Sequence, residues 1–129
     1  MRRLVLFGIV GLLLVAGVSF SRAAASRATD VSVEQARKLL DERGGKADFV
    51  VLDVRTPAEF AGGHLPGAVN LDIQTHDFET RLAGLDRGKT YLVYCRSGNR
   101  STKAVQTMER MEFPRVFHMR EGMIGREKK

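Results

Sequence analysis

Two uninterrupted apolar runs constrain the fold more than any other feature: Phe49-Val50-Val51-Leu52 and Tyr91-Leu92-Val93-Tyr94. Neither alternates apolar with polar residues, so each reads as a strand covered on both faces. Helical patterns separate them. Ser32-Val33-Glu34-Gln35 is a capping box, with an apolar stripe of Val33, Ala36, Leu39 and Leu40 that Gly44-Gly45 ends. Thr56-Pro57-Ala58-Glu59 marks a second helix start, with Arg55 and Glu59 spaced to pair at i,i+4. Gly62 to Gly67 reads as a turn and Ala68 to Leu71 as a short strand; Phe78, Leu82 and Leu85 mark a helix face across residues 76–85. Ala104, Val105, Met108 and Met111 line a helix over about residues 101–112, which Pro114 ends before a last strand at Val116-Phe117-His118-Met119. Strands alternating with short helices predict an α/β fold with a central, mainly parallel sheet flanked by helices.

Ahead of this pattern, Met1-Arg2-Arg3 is basic, residues 4–20 carry no charge, and Ser21-Arg22-Ala23 and Ala23-Ala24-Ala25 offer small-residue cleavage sites. That is the layout of a secretory signal peptide over residues 1–25. An uncleaved anchor is the alternative, because the uncharged run lies at the short limit for a membrane span. The expected location is periplasmic or secreted, or membrane-anchored with the domain outside the cytoplasm. Residues 26–30 read as a linker and 31–129 as one domain. Three of the 21 basic residues lie in the leader, so without it the net charge falls from +6 to +3. No basic run is interleaved with aromatics, which argues against nucleic acid as a partner. A membrane is a partner only if the leader stays.

The chain has a single cysteine, Cys95. That excludes an intramolecular disulfide and a C-x-x-C redox pair. His64, His76 and His118 stand alone in sequence, each reading as a surface or turn residue, so neither a metal nor a cofactor is expected. Cys95 follows a buried strand and precedes a helix, where open α/β sheets bind ligands. Ser97-Gly98-Asn99 lets the backbone curl into a nest of inward N–H groups, with Arg96 and Arg100 adding charge. A helix dipole alone contributes at best about 2 kcal/mol, a little over one unit of thiol pKa. Reaching the range of reactive cysteines therefore needs the N–H donors and an arginine as well. The alternative, an inert buried cysteine, fits these arginines and the glycine poorly.

Leu52-Asp53-Val54-Arg55 with Glu59-Phe60, then Gly63-His64-Leu65-Pro66-Gly67-Ala68, then Tyr94-Cys95-Arg96-Ser97-Gly98-Asn99-Arg100-Ser101, resembles the rhodanese (sulfurtransferase) family over about residues 31–124. Within that family the layout is similar to single-domain periplasmic thiosulfate sulfurtransferases. The resemblance implies a single rhodanese-like domain and a Cys95 nucleophile that holds a sulfane sulfur as a persulfide. It also implies that backbone N–H groups of Arg96, Ser97, Gly98, Asn99 and Arg100 cradle that sulfur. Arg100, with Arg96 at the rim, would receive a small anionic donor such as thiosulfate, and a thiol or cyanide would accept the sulfur. Asp53, Arg55, Glu59 and His64 match family motifs and read as scaffold. One departure is clear: Met119-Arg120-Glu121-Gly122-Met123-Ile124-Gly125 lacks the family's Gly-Gly pair and tryptophan, so the final helix is expected to be stunted. A non-enzymatic persulfide carrier or thiol-binding module is the alternative function. Rhodanese-like phosphatase or arsenate reductase chemistry fits less well, since Cys95 to Arg100 is one residue short of the C-x5-R ring of cysteine phosphatases.

Overall fold

The computed structural model of the chain describes residues 27–127. The expected leader, residues 1–25, lies outside the described residues. In chain order the elements are β1 (Thr29–Val31), α1 (Val33–Arg43), β2 (Phe49–Asp53), α2 (Pro57–Ala61), β3 (Val69–Asn70), α3 (Phe78–Ala83), β4 (Thr90–Tyr94), α4 (Asn99–Arg110), β5 (Val116–Met119) and α5 (Gly122–Glu127). The strands form one sheet in the order β1-β5-β4-β2-β3, parallel at every pairing. The architecture is the α/β one that the sequence pattern predicts.

The two apolar runs form adjacent strands, and β4, at the centre of the sheet, is buried along its whole length. Its side chains divide between the faces as strand pleating requires. Tyr91, Val93 and Cys95 join Phe78 and Leu82 of α3 and Ala104, Val105 and Met108 of α4 in one core. Leu92 and Tyr94 join Val33 and Ala36 of α1 in the other, with Met123 of α5 packed against it. Both expected capping boxes form. Ser32 and Gln35 exchange hydrogen bonds at the start of α1, as do Thr56 and Glu59 at the start of α2. Each cap contributes on the order of 1 kcal/mol.

The structure departs from the sequence reading in several places, among them the strand expected over Ala68 to Leu71, which contracts to Val69–Asn70. Thr29 and Asp30, expected in a linker, begin edge strand β1, which pairs with β5 in the register Asp30 to His118. Three residues, of which only Val31 is buried, carry no readable pattern; the partner strand orders them. The 76–85 helix contracts to α3. The fourth helix begins at Asn99 rather than residue 101 and ends at Arg110, where Met111 caps it and Glu112 turns with φ 62°, ahead of Pro114. Arg55 does not pair with Glu59. It precedes the α2 cap, so helical i,i+4 geometry does not apply, and its guanidinium folds back onto Asp53 at 2.7 Å. His118 is no surface residue but a buried one, 3% exposed, on the α4 side of β5.

Candidate active site

The β4 strand delivers Cys95 to the sheet's carboxyl edge, and α4 starts four residues later with Gly98 as its N-cap. Gly98 has φ 97°, and a Cβ there would lie 2.1 Å from the Arg120 carbonyl oxygen. Gly122 has φ 63°, and a Cβ would meet the Arg96 carbonyl oxygen at 2.3 Å and that of Cys95 at 2.7 Å. These two positions require glycine because the segment after β5 lies directly against the cysteine loop. There the first turn of α5 reaches the loop: the N–H of Met123 donates to the Cys95 carbonyl and that of Ile124 to the Arg96 carbonyl, both at 3.0 Å. In a trans peptide the C=O and the following N–H point opposite ways. Holding the Arg96 carbonyl outward therefore turns the Ser97 N–H inward, toward the sulfur. The short final helix supplies this brace with the single Gly122.

Cys95 is 0% exposed. The Gly98 N–H donates to its Sγ at 3.0 Å, and the Ser101 hydroxyl lies 3.3 Å away. Burial pushes the thiol up, but the Ser101 hydroxyl and the N–H groups of Ser101, Gly98 and Ser97 outweigh it, leaving the thiol below its ordinary value. The Ser101 hydroxyl, in the first turn of α4, also lies 2.7 Å from His118 Nε2 and 3.1 Å from the Gly98 carbonyl oxygen. His118 Nδ1 in turn faces Asp30 Oδ1 at 3.1 Å.

Arg100 is held sideways. Its guanidinium makes a two-pronged contact with Glu59, at 2.7 and 2.9 Å, tying α4 to α2. The Arg100 contact, aided by the Thr56 cap bonds, holds the Glu59 carboxyl down at about 2 despite some opposing desolvation. A depressed carboxyl stabilises the fold above its ordinary 4.5, and that contribution is lost as pH falls toward about 2. Glu59 is one-third exposed, so the effect on stability is modest. The Glu59 carboxyl carbon should accordingly titrate near about 2 by NMR; a midpoint at its ordinary value would show that the pair does not persist in solution.

Of the residues singled out from sequence, Cys95, Ser97 and Gly98 converge on the sulfur. Arg96 and Asn99 are exposed at the rim, and Arg100 engages Glu59. Arg55, Glu59, Gly63, Arg96 and Met123 border a cleft of about 310 Å³ beside the loop. Asp53, Arg55 and Tyr94 anchor one wall of it: Tyr94 donates to Asp53 at 2.7 Å and accepts from the Leu65 N–H, while Arg55 donates to the Gly63 carbonyl at 2.7 Å. His64 stacks on Phe60 with ring centroids 3.9 Å apart. Sequence reasoning missed Ser101, His118 and Asp30. Strand parity held a signal for His118, because Val116, at the same parity in β5, faces the α4 core. Among the described residues no group of three or more His, Cys, Asp or Glu side chains could hold a metal.

The rhodanese-like domain model matches residues 32–126. Over 78 residues the chain is 35% identical to a sulfurtransferase of Allochromatium vinosum, covering 60% of this chain and 71% of that protein. It is 31% identical over 97 residues to an uncharacterized protein of Synechocystis, where it spans 75% of itself but only 53% of the relative. The human single-domain sulfurtransferase superposes with a TM-score of 0.62 at 20% identity, over 82% of this chain and 97% of that one, a likeness of fold.

Proposed function

The chain belongs to the rhodanese-like domain family, and from that premise we propose that it is a sulfurtransferase whose Cys95 carries the sulfur as a persulfide. One observation carries the proposal: the sulfur of Cys95 lies under converging N–H groups of Ser97, Gly98 and Ser101, and its thiol is shifted toward the thiolate. The thiolate attacks the outer sulfur of thiosulfate. The thiosulfate S–S bond breaks and sulfite leaves with the bonding pair. The negative charge passes from Sγ to the outer sulfur of the persulfide, one bond beyond the atom that the Gly98 N–H now faces, and the preformed ring of loop N–H groups stabilises it there by charge–dipole attraction. A thiolate or cyanide then attacks the sulfane sulfur and restores the Cys95 thiolate, two displacements in place of one. Arg96, exposed at the rim, attracts the anionic donor; Arg100 contributes its charge from beside Glu59 rather than by pointing into the loop.

Intact mass of the purified protein tests this. Thiosulfate should add one sulfur atom per chain and cyanide should remove it. No adduct under saturating thiosulfate would overturn the persulfide reading. The complete burial of Cys95 supports a second reading, a carrier that hands sulfur to one docking acceptor. A carrier would form the adduct yet show negligible steady-state turnover with small acceptors.

A further inference from the structure

His118 is a buried imidazole for which the sulfur-transfer scheme has no task. Parity on β5 aims it at the first turn of α4, and the β1–β5 register sets Asp30 beside it. The result is an unbroken line of polar atoms: Asp30 Oδ1 to His118 Nδ1 at 3.1 Å, His118 Nε2 to Ser101 Oγ at 2.7 Å, Ser101 Oγ to Cys95 Sγ at 3.3 Å. Asp30 is half-exposed, its side chain at 54%. On its side of the molecule a cleft of about 270 Å³ is bordered by Arg27, Asp30, Glu109, His118 and Arg120. The cleft bordered by Arg96 and Glu59 is a separate one.

Counting hydrogens decides what this line can do. Ser101 has one hydroxyl proton and three neighbours for it: the Gly98 carbonyl, His118 Nε2 and the Cys95 sulfur. The Asp30 carboxylate requires a proton on Nδ1, so a neutral His118 presents a bare Nε2. Ser101 then donates to Nε2 and offers a lone pair to the thiol S–H. When His118 is charged, Nε2 donates to Ser101, whose own proton turns to the thiolate.

We infer that Asp30, His118 and Ser101 form a proton relay that ionises Cys95 and returns its proton, opening on the β1–β5 edge rather than through the cleft beside Arg96. In the forward step the S–H bond breaks as an O–H bond forms on Ser101. The former hydroxyl proton of Ser101 passes to Nε2. A thiol and an imidazole become a thiolate and an imidazolium, with Asp30 balancing the new charge. The groups facing His118 are Asp30 from β1, Arg120 after β5, Arg27 before β1, Glu109 from α4, and Ser101 with Cys95 behind it. Burial lowers its basicity, Asp30 raises it and Arg120 lowers it, with a net fall, so the ring rests neutral and holds a proton taken from Cys95 only transiently. The use of the relay rests on the sulfur-transfer reading; its test does not.

The test follows ring signals of His118 by NMR and the ultraviolet absorbance of the only thiolate, across pH, on the full chain. In the wild type the two should change together, as coupled groups do. Ser101→Ala should separate them and leave roughly tenfold less thiolate at neutral pH, the scale of one charge-assisted hydrogen bond. Asp30→Asn, at a half-exposed position, should lower both the imidazole midpoint and the thiolate fraction, which keeps the inference testable if Ser101→Ala misfolds. An imidazole titration indifferent to Asp30→Asn and Cys95→Ser would overturn the relay. A mass adduct with uncoupled titration would keep sulfur transfer and sink the relay. Coupled titration without an adduct would keep the relay and sink sulfur transfer.

Discussion

Cys95→Ser should yield a folded protein that takes up no sulfur from thiosulfate. Serine has almost the shape of cysteine, and its hydroxyl can still accept from Gly98 and contact Ser101, so the fold has no reason to change. Its chemistry differs completely. Three N–H groups and a hydroxyl are enough to bring a thiol below its ordinary value, but no such shift makes an alkoxide near neutral pH. A hydroxyl oxygen also forms no stable bond to a sulfane sulfur. The loss should be at least about 10⁴-fold, the scale on which removing a nucleophile acts. Single-turnover release of sulfite measures it, with a melting curve as the check on folding. Sulfite release by the serine variant would show that another group takes the sulfur.

Gly122→Ala should be severely damaging, because the added methyl meets only backbone. The new Cβ would press on the Arg96 carbonyl oxygen at 2.3 Å, its carbon at 2.6 Å and the Cys95 carbonyl oxygen at 2.7 Å. All three are backbone atoms, so no side chain can swing aside. A left-handed alanine costs about 1–2 kcal/mol, and each bond lost between α5 and the loop about 1 more. A total near 3 kcal/mol is a large share of ordinary domain stability and lowers Tm by roughly 10–20 °C. Sulfur uptake should fall with it, because the inward N–H groups depend on the outward carbonyls. Gly62→Ala is the matched control: its Cβ would meet nothing closer than 3.5 Å and its φ is ordinary, so Tm should hardly move. Unchanged Tm and adduct formation in Gly122→Ala would show that the loop does not need this close approach.

The sequence carried what is local. Continuous apolar runs marked β2 and β4, two capping boxes marked α1 and α2, and a cysteine at a strand end marked the site. What escaped is set by partners far along the chain. Glu59 is written as a helix cap, and it is one, but its second partner Arg100 is 41 residues away. Asp30 reads as linker because β1 is ordered by β5, 88 residues on. Ser101 stands in the motif, but a serine near a helix start carries no local sign of which way its hydroxyl points; with Asn99 already helical, it faces back to the strand end. A lone histidine has no local signal beyond strand parity, and a four-residue strand gives parity little room.

The dependence of the cysteine loop on Met123 and Ile124 has a consequence for how the site comes into being. A chain made from its N-terminus releases Cys95 before either of the residues that turn its loop, and before the strand that carries His118. Contacts distant in sequence form late, since loop closure must precede them. An interrupted chain ending short of residue 124 therefore holds an ordinary thiol in an unbraced loop. Activation of the sulfur coincides with completion of the sheet, so a half-made or misassembled copy carries the nucleophile without the means to use it.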